Sequence, residues 1–199
     1  MIGPMGAQAG HHEEMEAALE IETLAQGLAL EGRAEEARAE FAAAAERYRA
    51  SWELASATSY GRLVGMLKAA VLAGGGQREA AYARAQIATA EEDSMTAAYV
   101  RALAALLVGE DGEVARWAAV MRRSPGAFAR TGAALEALAE GEEEAYRRAL
   151  EEIVGDFEER SSHLTGVAIA DTALMLEELA GRRGMRTGLS SPVLPAGWR

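Results

Sequence analysis

Apolar residues recur at helical spacing along most of the chain, as at Ile21, Leu24 and Leu28, and β-branched residues never alternate over the length of a strand. Ala, Leu, Glu and Arg, which favour helix, dominate the sequence. This pattern predicts a single all-α domain of about nine helices over residues 1–199. The expected helices are Glu13–Leu30, Ala34–Leu54, Thr58–Leu72, Arg78–Ala90, Met95–Val108, Glu113–Arg122, Gly126–Ala139, Glu142–Glu159 and Leu164–Ala180.

Glycines followed by acidic residues separate several of the predicted helices. Four such breaks lie at Gly32, Gly76, Gly112 and Gly141, where glycine can end one helix and the acidic residues complement the dipole of the next. They predict an irregular stack of antiparallel helical hairpins. The hairpin at Gly32 has the small and aromatic residues of a tetratricopeptide unit. Because this pattern does not recur about 34 residues later, a regular solenoid is disfavoured.

The two ends of the chain depart from the helical pattern. Residues 1–12 are expected to be flexible. After Gly184, which permits a turn, Pro192 and Pro195 favour an extended backbone over residues 185–199. This tail keeps apolar residues that a disordered tail would lack, so we expect it to pack on the helices as a clasp. These residues are Leu189, Val193, Leu194 and Trp198.

The composition narrows the setting in which the protein works. The 199 residues include no cysteine, which excludes disulfides and thiolate metal sites and fits a reducing cytoplasm. No apolar run reaches the roughly 20 residues of a membrane-spanning helix, and the first residues lack the pattern of a secretory signal. We therefore expect a soluble cytoplasmic protein.

The charge of the chain is acidic and uneven. Thirty-one acidic and twenty basic residues give a net charge of -11, which disfavours nucleic acid and anionic membranes as partners and favours a cationic protein. From residue 134 to residue 159, ten acidic residues and two arginines give a net charge of -8. The predicted contact residues for a cationic partner are Glu142, Glu143, Glu144, Glu151, Glu152 and Asp156. The alternative is an acidic helix face that serves solubility alone.

The sequence lacks the common motifs for catalysis and for cofactor or metal binding. It has no phosphate-binding glycine loop, no nucleophile elbow and no paired-histidine zinc motif, so we predict no catalytic residues, no cofactor and no metal. His163 stands four residues after Glu159 and could form an ion pair with it. Asp171 lies in an otherwise apolar stretch, so we expect it to bond a helix terminus or an arginine. A functional contact and simple exposure are the alternatives for Asp171.

The last third of the chain carries a combination of short motifs. A Leu-x-x-Leu helix ends at Ala-x-Gly, an acidic helix and an Asp-x-x-Leu helix follow, and an Arg-Gly turn precedes a closing Ser-Pro-x-Leu-Pro. The residues that carry these motifs are Leu135, Leu138, Gly141, Tyr146, Leu150, Asp171, Ala173, Leu174, Arg183, Gly184, Ser191, Pro192, Leu194 and Pro195.

In these motifs the chain resembles the immunity protein 49 family of bacterial polymorphic-toxin systems. The resemblance covers about a third of the chain and departs from the family pattern at Val193, where the family favours an aromatic residue. It implies an all-α protein, produced in the cytoplasm, that binds and neutralises a cognate toxin. It implies no catalytic residues.

Three functions follow from these observations. The leading one is a non-catalytic immunity-type binder whose acidic helix steers a cationic toxin domain, such as a basic nuclease. The alternative is a tetratricopeptide-like scaffold that holds a peptide or protein partner in a concave groove. The third is an enzyme with an unrecognised site, which would require a cluster of buried carboxylates and a histidine in a pocket.

Overall fold

The computed structural model describes residues 4–91, 93–123 and 125–198. The described residues form nine α-helices and no β-strand, which confirms the all-α prediction. The helices are α1 (Pro4–Leu30), α2 (Ala34–Leu54), α3 (Gly61–Leu72), α4 (Gln77–Gln86), α5 (Met95–Val108), α6 (Asp111–Met121), α7 (Ala127–Glu140), α8 (Glu143–Glu158) and α9 (Asp171–Arg182).

Most helix ends fall within a few residues of the positions that the sequence predicts, and α2 and α5 have the predicted bounds. Gly32 and Gly141 have left-handed backbone conformations, with φ of 79° and 74°, as expected of glycines that end helices. The prediction for Gly112 is wrong, because this residue lies inside α6. The left-handed glycine that ends α5 is Gly109, whose φ is 78°.

The first helix begins at Pro4, nine residues earlier than the sequence predicts. Near its start it is held on α2, because the Ser51 hydroxyl donates a hydrogen bond to the His11 carbonyl oxygen at 2.7 Å. The structure thus has helix where the sequence predicted none, and the flexibility expected over residues 1–12 stays a prediction. Residues 1–3 of that segment lie outside the described part of the chain.

The largest disagreement with the predicted helices lies before α9. The sequence predicts a helix from Leu164, but residues 164–170 are not helical and α9 begins at Asp171. Gly166 has a φ of 74°, and this left-handed conformation interrupts a helix. The segment between α8 and α9 is therefore an extended connection of the kind that can line a site.

The helices form a continuous stack. From α1 to α8 each helix packs against the next, most extensively α1 against α2, and α3 also packs against α5. Fully buried alanines such as Ala18 and Ala25 of α1 and Ala37 and Ala44 of α2 let neighbouring helices approach closely. These contacts do not confirm a tetratricopeptide-like arrangement. Helix α9 packs against α3, α7 and α8, so it joins the middle of the stack to its end.

The tail after α9 packs on the helices, as the sequence predicts. Val193 and Trp198 are buried, and the Trp198 ring meets the Phe41 ring of α2 edge to face at a centroid distance of 6.1 Å. The Ala170 amide donates a hydrogen bond to the Val193 carbonyl oxygen at 2.8 Å. The tail is therefore fixed both to α2 and to the connection that precedes α9.

A buried carboxylate reinforces this arrangement. Glu178 of α9 lies near three arginines, with N···O distances of 3.2 Å to Arg38 of α2, 3.9 Å to Arg182 and 3.7 Å to Arg186. The Arg38 guanidinium also lies over the Trp198 ring, 4.7 Å from its centroid. Charge and apolar burial thus hold α2, α9 and the tail together.

Candidate functional site

The predicted acidic contact residues lie on the solvent-facing side of α8. Gly141 ends α7, and Glu143 and Glu144 occupy the first turn of α8, where carboxylates complement the helix dipole. All five predicted glutamates are exposed, namely Glu142, Glu143, Glu144, Glu151 and Glu152. They are accessible to a protein partner.

Asp156, the sixth predicted contact residue, already forms ion pairs with two arginines. Arg130 donates a hydrogen bond to one carboxylate oxygen, and the Arg160 Nε donates to the other at 3.1 Å. Burial raises the pKa of Asp156, but the hydrogen bonds and charges of the two arginines outweigh it and hold the pKa below its ordinary value. Asp156 therefore adds no free negative charge to the surface, and its contact with a partner stays a prediction.

The negative charge is concentrated at the turn between α7 and α8. Arg147 and Arg148 stand one helical turn before Glu151 and Glu152, where their charges offset those of the glutamates. No ion pair within 4 Å is made by the glutamates at the turn itself within the described part of the chain. We call this group the acidic turn, and its members are Glu140, Glu142, Glu143 and Glu144. Sequence reasoning did not single out Glu140.

Asp171 is an internal partner rather than an exposed residue. As the first residue of α9, it pairs with Lys68 of α3, and its second oxygen accepts a hydrogen bond from the Thr172 amide at 2.7 Å. The sequence predicted a structural partner for Asp171, but the partner is a lysine and not an arginine. Burial lowers the pKa of Lys68, while the Asp171 carboxylate raises it and prevails, so the lysine stays charged.

The motif residues in the tail also make internal contacts. The Ser191 hydroxyl donates a hydrogen bond to the Glu158 carboxylate at 2.6 Å, which ties the tail to the end of α8. Gly184 has a φ of 73°, as a turn after α9 requires. The other tail motif residues range from exposed through half-buried to buried, in the order Pro192, Leu194 and Pro195. Residues of the motif thus take part in packing the tail on the helices.

A cavity of about 240 Å³ lies between α1, α3, α7 and α8, under the connection that precedes α9. It brings together ionisable side chains that are far apart in the sequence. These are Glu22, Lys68, Arg130, Asp156, Arg160, His163 and Asp171. The structure thus brings carboxylates and a histidine to one cavity, as the third hypothesis requires, but of these acids only Glu22 is buried.

Glu22 is the most deeply buried acid of this cavity, with 6% of its surface exposed. Its carboxylate accepts hydrogen bonds from the Tyr48 hydroxyl and, at 3.4 Å, from the Gln26 amide. Burial raises the pKa of Glu22, and the charge of Lys68 and the two hydrogen bonds offset part of that effect. Glu22 is therefore held inside the protein by α1 and α2 together.

His163 does not form the ion pair with Glu159 that its spacing suggested. Its ring stacks on Phe157 with a centroid distance of 6.2 Å. Its Nδ1 is buried and has no hydrogen-bond partner among the described residues. His163 thus contributes a polar atom at the edge of the cavity that protein groups leave unsatisfied.

Sequence reasoning missed most of this cavity. Asp171 was noted as an isolated acid in an apolar stretch, but Glu22 lies among many other helical glutamates and gave no signal, and Lys68, the only lysine of the chain, was not singled out. They meet only because the connection after α8 passes back over α1. The Thr23 hydroxyl, for example, donates a hydrogen bond to the Thr165 carbonyl oxygen at 3.3 Å.

Comparisons of the chain with family models, curated proteins and solved structures found no match. The resemblance to the immunity protein 49 family therefore stays a prediction from the motif residues. Within the described part of the chain, no group of three or more His, Asp or Glu side chains is arranged to hold a metal ion. None of the described helices has the length and apolar character needed to cross a membrane.

Proposed function

We propose that this protein is a non-catalytic, immunity-type binder that neutralises a cationic toxin domain. The observation that carries the proposal is the acidic turn. Its four glutamates fall within five residues, at the exposed junction of two helices, with no neutralising ion pair in the described structure. The motif resemblance supplies the class of partner.

The position of the acidic turn suits electrostatic steering. A compact cluster of one sign of charge accelerates association with an oppositely charged partner, and the effect weakens as salt shortens the Debye length. The turn stands where α7 ends and α8 begins, and buried residues such as Leu138 and Tyr146 hold both helices in place. A partner would therefore meet a rigid acidic surface.

The alternative scaffold function receives less support from the structure. Such a scaffold needs an open concave groove for its peptide. Here α9 packs against α3, α7 and α8, and the tail closes over Phe41. These contacts occupy the inner side of the stack with the protein's own chain. The acidic turn, by contrast, is exposed and accessible to a partner.

The test first asks whether the adjacent reading frame encodes a toxin-like domain, and then measures binding to that domain. The triple variant E142Q/E143Q/E144Q removes three charges from the acidic turn. Because rim charges act mainly on the association rate, we expect that rate to fall about tenfold at low salt, with little change in the dissociation rate. The difference between variant and wild type should disappear near 0.5 M salt, where the Debye length is only about 4 Å.

A matched control keeps the net charge equal. E13Q/E16Q/E20Q removes three exposed glutamates from α1, which packs chiefly against α2, and gives the same net charge as the test variant. We expect it to bind at nearly the wild-type rate. Equal losses in both triple variants, or a wild-type rate that salt does not change, would refute steering by the acidic turn.

A further inference from the structure

The cavity between α1, α3, α7 and α8 has carboxylates whose acceptor atoms are already used. Both oxygens of Asp156 accept hydrogen bonds, one from Arg130 and the other from Arg160. Both oxygens of Asp171 also accept, one from Lys68 and the other from the Thr172 amide. These acids therefore hold the cations in place and offer little to a ligand.

The cations, by contrast, keep hydrogen-bond donors that these acids do not use. Lys68 has three N–H groups, and Asp171 and the Thr172 hydroxyl accept two of them. Arg130 donates through one nitrogen, and Arg160 leaves its Nη1 without an acceptor among the described residues. The cavity thus has an excess of charged donors over acceptors, which suits an oxygen-rich anion.

Glu22 accepts none of these open donors. Both of its oxygens accept hydrogen bonds, from Tyr48 and from Gln26, on the side of α1 and α2. The Gln26 carbonyl oxygen in turn accepts a hydrogen bond from the Thr165 hydroxyl. The polar groups on the α1 side are thus hydrogen-bonded to one another. The open donors therefore lie on the α3, α7 and α8 sides.

The rest of the lining is apolar. Ile153 and Phe157 of α8 and Ile169 of the connection are buried and line the cavity beside the charged groups. The volume of about 240 Å³ lies just below the roughly 300–1,000 Å³ of typical small-molecule pockets. A site with an apolar wall and charged donors selects an organic ligand that carries one anionic group.

We propose that this cavity binds a small organic oxyanion. Its carboxylate or phosphate oxygens accept hydrogen bonds from Lys68, Arg130 and Arg160, and its carbon skeleton lies on Ile153 and Phe157. The open charged donors are what the proposal rests on, and it concerns binding alone. The proposal is independent of toxin binding at the acidic turn.

The proposal is tested by titrating the full chain with simple probes, using calorimetry and the thermal midpoint Tm as readouts. Benzoate and phenyl phosphate test a carboxylate and a phosphate on the same ring. Benzamide is the neutral analogue, and inorganic phosphate lacks the apolar part. We expect at least one of the two aromatic anions to bind saturably and raise Tm, and to bind at least tenfold more tightly than benzamide and inorganic phosphate.

Variants locate the binding. Arg130→Gln and Arg160→Gln each remove one cation while leaving Asp156 paired with the other, and each should weaken anion binding about tenfold. Arg122→Gln is the control, because Arg122 forms its ion pair with Glu136 away from the cavity. Ala127→Trp fills the cavity from the exposed first turn of α7 without removing any ion pair. It should abolish binding even if the arginine variants fold poorly.

Several results would overturn the proposal. The first is that neither aromatic anion binds at millimolar concentration. The second is equal binding of benzamide and benzoate, which would leave the cations without a role. The third is binding that survives Ala127→Trp, or that Arg122→Gln weakens as much as Arg130→Gln does. If inorganic phosphate binds as tightly as phenyl phosphate, that result would also contradict the claim that the ligand has an organic part.

Discussion

The buried position of Trp198 allows a direct test of how much the tail contributes to stability. Only 8% of this side chain is exposed, and its ring contacts Phe41 edge to face and lies under the Arg38 guanidinium. Removing a buried Trp or Phe side chain to Ala typically costs about 3–5 kcal/mol. Since Trp198 lies near the end of the chain, where neighbours can relax, we expect Trp198→Ala to cost about 3 kcal/mol.

For a protein of this size, each kcal/mol shifts Tm by about 2–4 °C. Trp198→Ala should therefore lower Tm by about 6–12 °C, measured by far-UV circular dichroism. Trp198→Phe should cost much less. It keeps an aromatic ring on Phe41, and it removes the indole N–H, which is buried without a hydrogen-bond partner among the described residues.

Leu164→Ala is the matched control, because Leu164 is an apolar residue with 81% of its surface exposed. We expect its Tm to stay within about 1 °C of wild type, as is usual for surface substitutions. A Trp198→Ala variant with the same Tm as wild type would refute the claim that packing of the tail stabilises the protein. A Trp198→Phe variant that loses as much as Trp198→Ala would refute the account of the indole N–H.

Three further predictions concern the tail and the buried charges. Truncation after Arg183 removes the whole clasp, so its Tm should fall further than that of Trp198→Ala. Lys68→Met leaves Asp171 without its partner, so it should lower the free energy of unfolding, measured by chemical denaturation, by about 3 kcal/mol. The double variant Lys68→Met/Asp171→Asn should regain most of that loss. Burial raises the pKa of Glu22 above 4.5, so native Glu22 binds protons more tightly than unfolded Glu22. Its contribution to stability is therefore present at low pH and is lost as pH rises through the folded pKa. As pH rises above 4.5, Tm of wild type should thus fall more than Tm of Glu22→Gln, and parallel curves would contradict this.

The sequence predicted the helical stack and the tail because local signals determine them. Gly32 and Gly141 end helices through a left-handed conformation that glycine adopts easily. The apolar residues of the tail, such as Val193 and Trp198, indicated packing without showing where. The exposure of the α8 glutamates also followed from their number on one amphipathic helix.

The cavity could not be predicted in the same way. Lys68 and Asp171 are 103 residues apart, and no local pattern relates them. The connection before α9 was mistaken for helix because its apolar residues lack an obvious break apart from Gly166. Glu22 looked like a surface acid, because burial by a distant part of the chain leaves no mark on the residues around it. Only tertiary contacts reveal such a site.

The central claim, neutralisation of a cationic toxin through the acidic turn, is tested most directly by growth rescue. A toxin-like domain identified in the adjacent reading frame is expressed in bacteria together with wild type, E142K/E143K/E144K or E13K/E16K/E20K, and soluble levels of the three proteins are matched. The account predicts growth with wild type and with the α1 variant, and no growth with the acidic-turn variant. Full rescue by E142K/E143K/E144K, or failure of wild type to protect, would contradict it.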